Sequence, residues 1–194
     1  MTEWLAGNYI EVLGALLSIA YLVLSIRQNI LLWPLGILSA VLYIVVFFQS
    51  KFYADMGLNV YYFFISIYGW IIWSKGGDAD ADGLPVTHAG LTRGAILLVI
   101  MLLLFAGIGY LLDRFTDSPL PYWDAFTTSG SIVATWMLTR KILEHWIIWV
   151  VVDLVSLGLY VYKGLYPTVV LFAIYTTMAV VGYVQWLRSI KREE

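Results

Sequence analysis

HWIIWVVVD, residues His145 to Asp153, is apolar enough to lie in a membrane, yet it ends on an acid. The run continues as LVSLGLYVY to Tyr162. It shows none of the strict alternation that marks a barrel strand, and it approaches the length of about 20 apolar residues that carries a helix across a bilayer. Trp146, Trp149 and Asp153 are spaced i, i+3, i+7, so they share one stripe of that helix. The fold therefore reads as helical and membrane-embedded, with a polar group held near the middle of one span.

The rest of the chain agrees. Of 194 residues, 61% are hydrophobic and 12% charged, against about 25% charged in an ordinary soluble domain. Seven apolar segments are predicted as transmembrane helices: Asn8–Ile26, Ile30–Gln49, Phe52–Trp73, Ala95–Leu112, Pro121–Leu138, Ile142–Tyr162 and Tyr166–Leu187. Most connections are short. The exception, Ser74 to Gly94, is expected to be a polar, flexible loop. The N-terminal MTEWLAGNYIE carries an acid where a secretory leader is basic, so no cleaved leader is expected. Cysteine is absent, which excludes disulfide and thiol chemistry.

Lys51, Arg114 and Lys163 fall on the N-terminal side of the membrane. Arg27, Lys75, Arg93, Arg140, Lys141, Arg188, Lys191 and Arg192 fall on the other. The richer side is expected to face the cytoplasm, which puts the N-terminus outside and the C-terminus inside.

A shift of 113 residues superposes the two ends of the chain without a gap. Ser18 falls on Ser131, Arg27 on Arg140, Trp33 on Trp146, Tyr53 on Tyr166, Tyr62 on Tyr175, Gly69 on Gly182 and Trp73 on Trp186. This predicts three helices (residues 1–75), a cytoplasmic loop and linker helix (76–120), then the same three helices again (121–194). Because four helices separate the copies, both begin on the same side. The repeats are parallel, and a central cavity between them is expected.

All Lys and Arg residues lie at helix ends or in loops, whereas Asp153 lies near the midplane. A charge there costs on the order of 3 kcal/mol and is a functional hypothesis by default. Aromatic faces attract planar cations by about 0.5–2 kcal/mol, so two indoles beside an acid can seat a flat cationic ring. The alternative is that the tryptophans pack the bundle while Asp153 bonds a hydroxyl such as Ser39 or Thr135. Further candidates are Glu11 on the first helix and a polar stripe on the third: Asn59, Tyr62, Ser66 and Gly69. Tyr122, Trp123, Trp73 and Trp186 read as interfacial belt residues.

Asp78-Ala-Asp80-Ala-Asp82-Gly83 imitates the start of a calcium loop, but its twelfth position is Ala89 and Pro85 intrudes. His88 and His145 have no ligand spacing. No metal, no cofactor and no nucleic-acid partner are expected. No phosphate-binding glycine loop and no nucleophile with its base appear, so the chain reads as a non-enzyme that does not use ATP directly.

The three-plus-one-plus-three plan, the Trp146-x-x-Trp149-x-x-x-Asp153 stripe and FYADMGLNVYYFFISIYGW at the third helix resemble the PnuC family of vitamin transporters. The resemblance covers nearly the whole chain. It implies an all-α integral membrane protein with a full-length SWEET-like fold, a homotrimer in the bacterial inner membrane, and facilitated diffusion of a vitamin that a cytoplasmic kinase then traps. The nicotinamide riboside branch typically has Asn where this chain has Asp153. A carboxylate suits the aminopyrimidine of thiamine, so the thiamine branch, PnuT, is the expected match and nicotinamide riboside the alternative. In that reading Trp146 and Trp149 flank the cationic ring, Asp153 and Glu11 supply negative charge, and Asn59 and Tyr62 complete the polar contacts. A proton-coupled carrier that protonates Asp153 is the rival mechanism.

Overall fold

The computed structural model describes residues 9–49, 53–76 and 84–193, and it is built from seven helices. These are α1 (Tyr9–Ile26), α2 (Leu32–Gln49), α3 (Tyr53–Lys75), α4 (Gly90–Phe115), α5 (Pro121–Thr139), α6 (His145–Tyr162) and α7 (Tyr166–Glu193). Within the described residues, α3, α4, α6 and α7 are long and apolar enough to cross a membrane. Leucine, isoleucine and valine lie exposed along their outer faces, as they must where lipid is the solvent. α5 is the most polar span and the most buried. Ser129, Gly130, Ser131, Ala134 and Thr135 let α3, α4 and α6 pack closely around it.

Two helices end in the same unusual way. The Gln28 amide donates to the Ser25 carbonyl and the Asn29 amide to Leu24. The Lys141 amide donates to Leu138 and the Ile142 amide to Met137, all at 2.9–3.0 Å. This is the Schellman arrangement, and its left-handed position is normally glycine. Here it holds Gln28 at φ 53° and Lys141 at φ 48°, a conformation that costs a non-glycine residue about 1 kcal/mol. The two side chains meet: Lys141 Nζ donates to Gln28 Oε1 at 3.0 Å and lies 4.7 Å from the Trp73 ring centre.

Other contacts also recur 113 residues apart. Trp33 lies against Gly69 and meets Trp73 edge to face at 5.3 Å. Trp146 lies against Gly182 and meets Trp186 edge to face at 5.8 Å. A Cβ on Gly69 or Gly182 would stand 2.4 or 2.6 Å from the indole, so only glycine fits there. Trp73 Nε1 donates to the Thr139 carbonyl at the end of α5, and Trp186 Nε1 donates to Ser25 and Ile26 at the end of α1. Each third-helix tryptophan thus caps the opposite first helix. Both are buried core, not the interfacial belt residues that sequence alone predicts.

The connection before α4 also departs from expectation. Val86 and Ala89 are buried. Thr87 exchanges two backbone hydrogen bonds with Lys141 and Leu143, at 3.0 and 2.9 Å. His88 Nδ1 lies 2.8 Å from one Glu144 oxygen, and the Ala89 amide donates to the other at 2.9 Å. Residues 84–89 are therefore pinned to the α5–α6 connection instead of forming a flexible loop. Burial alone would push the Glu144 carboxyl up, but the bonds from His88 and Ala89 outweigh it and hold the group below the usual carboxylate range. Ile142 is used in this junction, so α6 starts at His145. α4 begins at Gly90 and runs to Phe115, longer at both ends than its apolar run.

Candidate substrate site

Asp153 is buried on the inner face of α6. Among the described residues the ion pair present is His88–Glu144, beyond the start of α6, and no cation faces Asp153. Its surroundings are hydroxyls. Tyr62 on α3 lies near Ser131 on α5 and within electrostatic range of the Asp153 carboxylate. Tyr175 on α7 lies near Ser18 on α1 and within range of the same group. Tyr61 and Tyr21 adjoin Tyr62, and Tyr43 adjoins Tyr175. Six helices thus contribute to one polar cluster, which is where an apolar bundle can hold an acid. Thr135 gives its proton to the Ser131 carbonyl at 2.7 Å, so it does not donate to the acid.

The two tryptophans of the α6 stripe part company in the structure. Trp146 is 1% exposed, packed among His145, Trp186 and Gly182, with its indole N–H buried and unpaired. Trp33 sits in the same way on Gly69, also with a buried unpaired N–H, in the half of the chain that has no central acid. Trp149 is only partly buried and lies one turn from Asp153, about 6 Å along the axis, against about 10 Å for Trp146. The structure therefore leaves Trp149, not Trp146, as the indole nearest the acid.

Asn59 and Tyr62 are partly buried on α3, with Tyr62 in the cluster. Glu11 lies on the described backbone of α1, but its side chain, like that of Asp55, is outside the described residues. Ser18, at heptad spacing from Glu11, and Tyr175, the 113-residue match of Tyr62, also join the cluster. Two surface hollows, one lined by Ile100, Leu104 and Ile108 and one by Gln28, Gln185 and Arg188, do not include the acid.

Comparison with known proteins places this arrangement. The family model described as "Nicotinamide mononucleotide transporter" matches residues 8–188. The chain belongs to this family. The nicotinamide riboside transporter PnuC of Escherichia coli (strain K12) is 26% identical, over 95% of this chain and 89% of its own length. The riboflavin/roseoflavin transporter RibM of Streptomyces davaonensis is also 26% identical, over 92% and 85%. The crystal structure of the vitamin B3 transporter PnuC matches with a TM-score of 0.77 at 22% identity, over 96% of this chain and 84% of that one. That likeness shows the fold. The chain is a membrane transporter of the PnuC family, and these relatives are named as transporters rather than enzymes.

Proposed function

We propose that this transporter carries nicotinamide riboside across the bacterial cytoplasmic membrane. The match to transporters named for nicotinamide riboside carries the reading, and Asp153, a buried carboxylate with no basic side chain against it among the described residues, supports a cationic substrate. A pyridinium ring bearing a ribose satisfies both parts of such a site, the charge and the hydroxyls. Two relatives named for nicotinamide riboside, from E. coli and Neisseria mucosa, support the same choice. The expectation of thiamine therefore gives way as the leading reading, since none of these relatives carries that name. Thiamine stays as the second reading because of one feature, a carboxylate at position 153 that suits its aminopyrimidine.

In this account Trp149 lies against the cationic ring, Asp153 supplies the charge, and Asn59 and Tyr62 add polar contacts. Trp146 holds α6 in register. Glu11 is assigned a supporting negative charge near the outer end of α1. α1–α3 and α5–α7 act as two parallel units joined by α4, in a SWEET-like plan, and they rock about the Asp153 cluster. The Gln28–Lys141 contact and the crossed Trp73 and Trp186 caps support this, because they join the units at one end, the end the charge count assigns to the cytoplasm. Transport is facilitated diffusion by a homotrimer, and a cytoplasmic kinase traps the product.

Labelled substrate taken up by proteoliposomes tests the proposal. Nicotinamide riboside should enter saturably and equilibrate with no imposed gradient. Uptake of thiamine in its place would support the second reading. Accumulation driven by a pH gradient would favour the proton-coupled rival.

A further inference from the structure

Gln28 and Lys141 hold the same position in the two halves, 113 residues apart. Both are left-handed at a helix end, and their side chains meet across the seam between α1–α3 and α5–α7. Lys141 Nζ donates to Gln28 Oε1 at 3.0 Å, and Gln28 Nε2 donates on to Ser189 Oγ of α7 at 3.2 Å. Ser189 in turn donates to the Trp186 carbonyl at 2.7 Å. Gln28 is thus clasped between two groups of the other half. Next to this chain lies a core that both halves share: Ile26, Trp33 and Trp73 from one, Leu138, Leu143 and Trp146 from the other, all buried. Asp153 lies eight residues into α6 from His145, about 12 Å along the axis. A solute leaving the acid toward this end meets the shared core and the clasp.

Trp33 and Trp146 each rest on a glycine of their own half, Gly69 and Gly182, so they can move with it. The hydrogen bonds that cross the seam cannot, and they must break if this end opens. The Trp73 and Trp186 caps cross it from buried indoles. The clasp crosses it through Gln28 and Ser189, which are only partly buried, so water can take up their hydrogen bonds as they part. Resting on the reading of two rocking units, we propose that Lys141, Gln28 and Ser189 form a gate of the transport cycle. They hold the Asp153 site shut toward the end that the charge count assigns to the cytoplasm, and they separate each time substrate passes. A purely structural clasp would stay closed throughout, and pinning it would leave transport unchanged.

The chain has no cysteine, so Arg27→Cys combined with Arg188→Cys introduces the only thiols. These two positions line one hollow between α1 and α7, beside the gate and not part of it. Joined by a cleavable bis-thiol linker in proteoliposomes, the double variant should lose most of its nicotinamide riboside uptake and recover it on reduction. Each single variant treated with the same reagent should keep its uptake, and the linked protein should still bind the substrate by tryptophan fluorescence. Gln28→Met and Lys141→Met should each change the saturated uptake rate about threefold. Together they should do no more than either alone, because they remove one contact. Uptake that survives the link, binding lost along with uptake, or Gln28 and Lys141 effects that multiply overturns the gate while leaving the transporter reading intact. An unlinked parent that neither binds nor takes up nicotinamide riboside overturns that reading, and this assignment with it.

Discussion

Helices α1–α3 and α5–α7 repeat the same tryptophan–glycine contacts and differ at the position of Asp153. In α1–α3, Trp33 fills the space over Gly69 and the position matching Asp153 is Ala40. In α5–α7, Trp146 fills the space over Gly182 and the same position is the acid. Gly36 stands where Trp149 does, and a Cβ there would already press on Ser66 and Tyr21, at 3.0 and 3.2 Å. The first half is packed shut at the place where the second carries an indole and a carboxylate. The tryptophan–glycine contacts are common to both, whereas the indole at 149 and the acid at 153 are present in one.

That division can be broken most severely at the acid. Asp153→Leu removes the charge and both hydrogen-bonding oxygens. Nicotinamide riboside uptake should fall about 100-fold, the scale of losing a charge-assisted contact in a desolvated site. Asparagine at Ala40 of the other half should add no affinity. The frame should respond evenly instead. Gly69→Ala and Gly182→Ala each drive a Cβ into a buried indole, and each should cost about 1–3 kcal/mol in a thermal unfolding measurement. A large effect at Gly182 with none at Gly69 would mean that the halves do not share their packing.

Sequence pattern exposed the helices and the offset because both rest on local or repeated signals: apolar length, and matches at Trp, Tyr, Gly and Arg. What it did not expose depends on which neighbour arrives. Spacing puts Trp146 and Trp149 on one face, but the bare backbone of Gly182 on α7 lets the first sink into the core and leaves the second only partly covered. Trp73 and Trp186 look like belt residues until the ends of α5 and α1 are seen to offer them carbonyls. The pinning of residues 84–89 to 141–144 has no periodic signature, since it is one short pairing between distant loops. Asp153 and Tyr62, which the structure brings near each other, are legible as polar residues in apolar spans. Tyr175 is not, because its approach to the acid depends on how α7 packs against α6.

Smaller effects sharpen the comparison at its seams. Lys141→Met keeps the length of the side chain but removes the donation to Gln28, where the two left-handed helix ends meet. It should change the transport rate about threefold in proteoliposomes, with nicotinamide riboside affinity held within about twofold. A large loss of affinity instead would tie that contact to the site. The smallest effect should come from Glu144. Its carboxyl sits below the ordinary carboxylate value in the folded protein. Its stabilising contribution is thus present above the ordinary glutamate pKa of about 4.3 and is lost as the pH falls through the lowered folded value. Thermal unfolding across that acid range should show a small drop that Glu144→Gln abolishes.

The central claim is that Asp153 seats a positive ring. Oxidised and reduced nicotinamide riboside have the same sugar and nearly the same shape, but only the oxidised ring is charged. Titrated into the full-length protein, the oxidised form should bind about 100-fold more tightly, and Asp153→Leu should bring the two forms to within a few-fold. Equal binding of both forms by the parent, or a preference that survives in Asp153→Leu, would contradict the account.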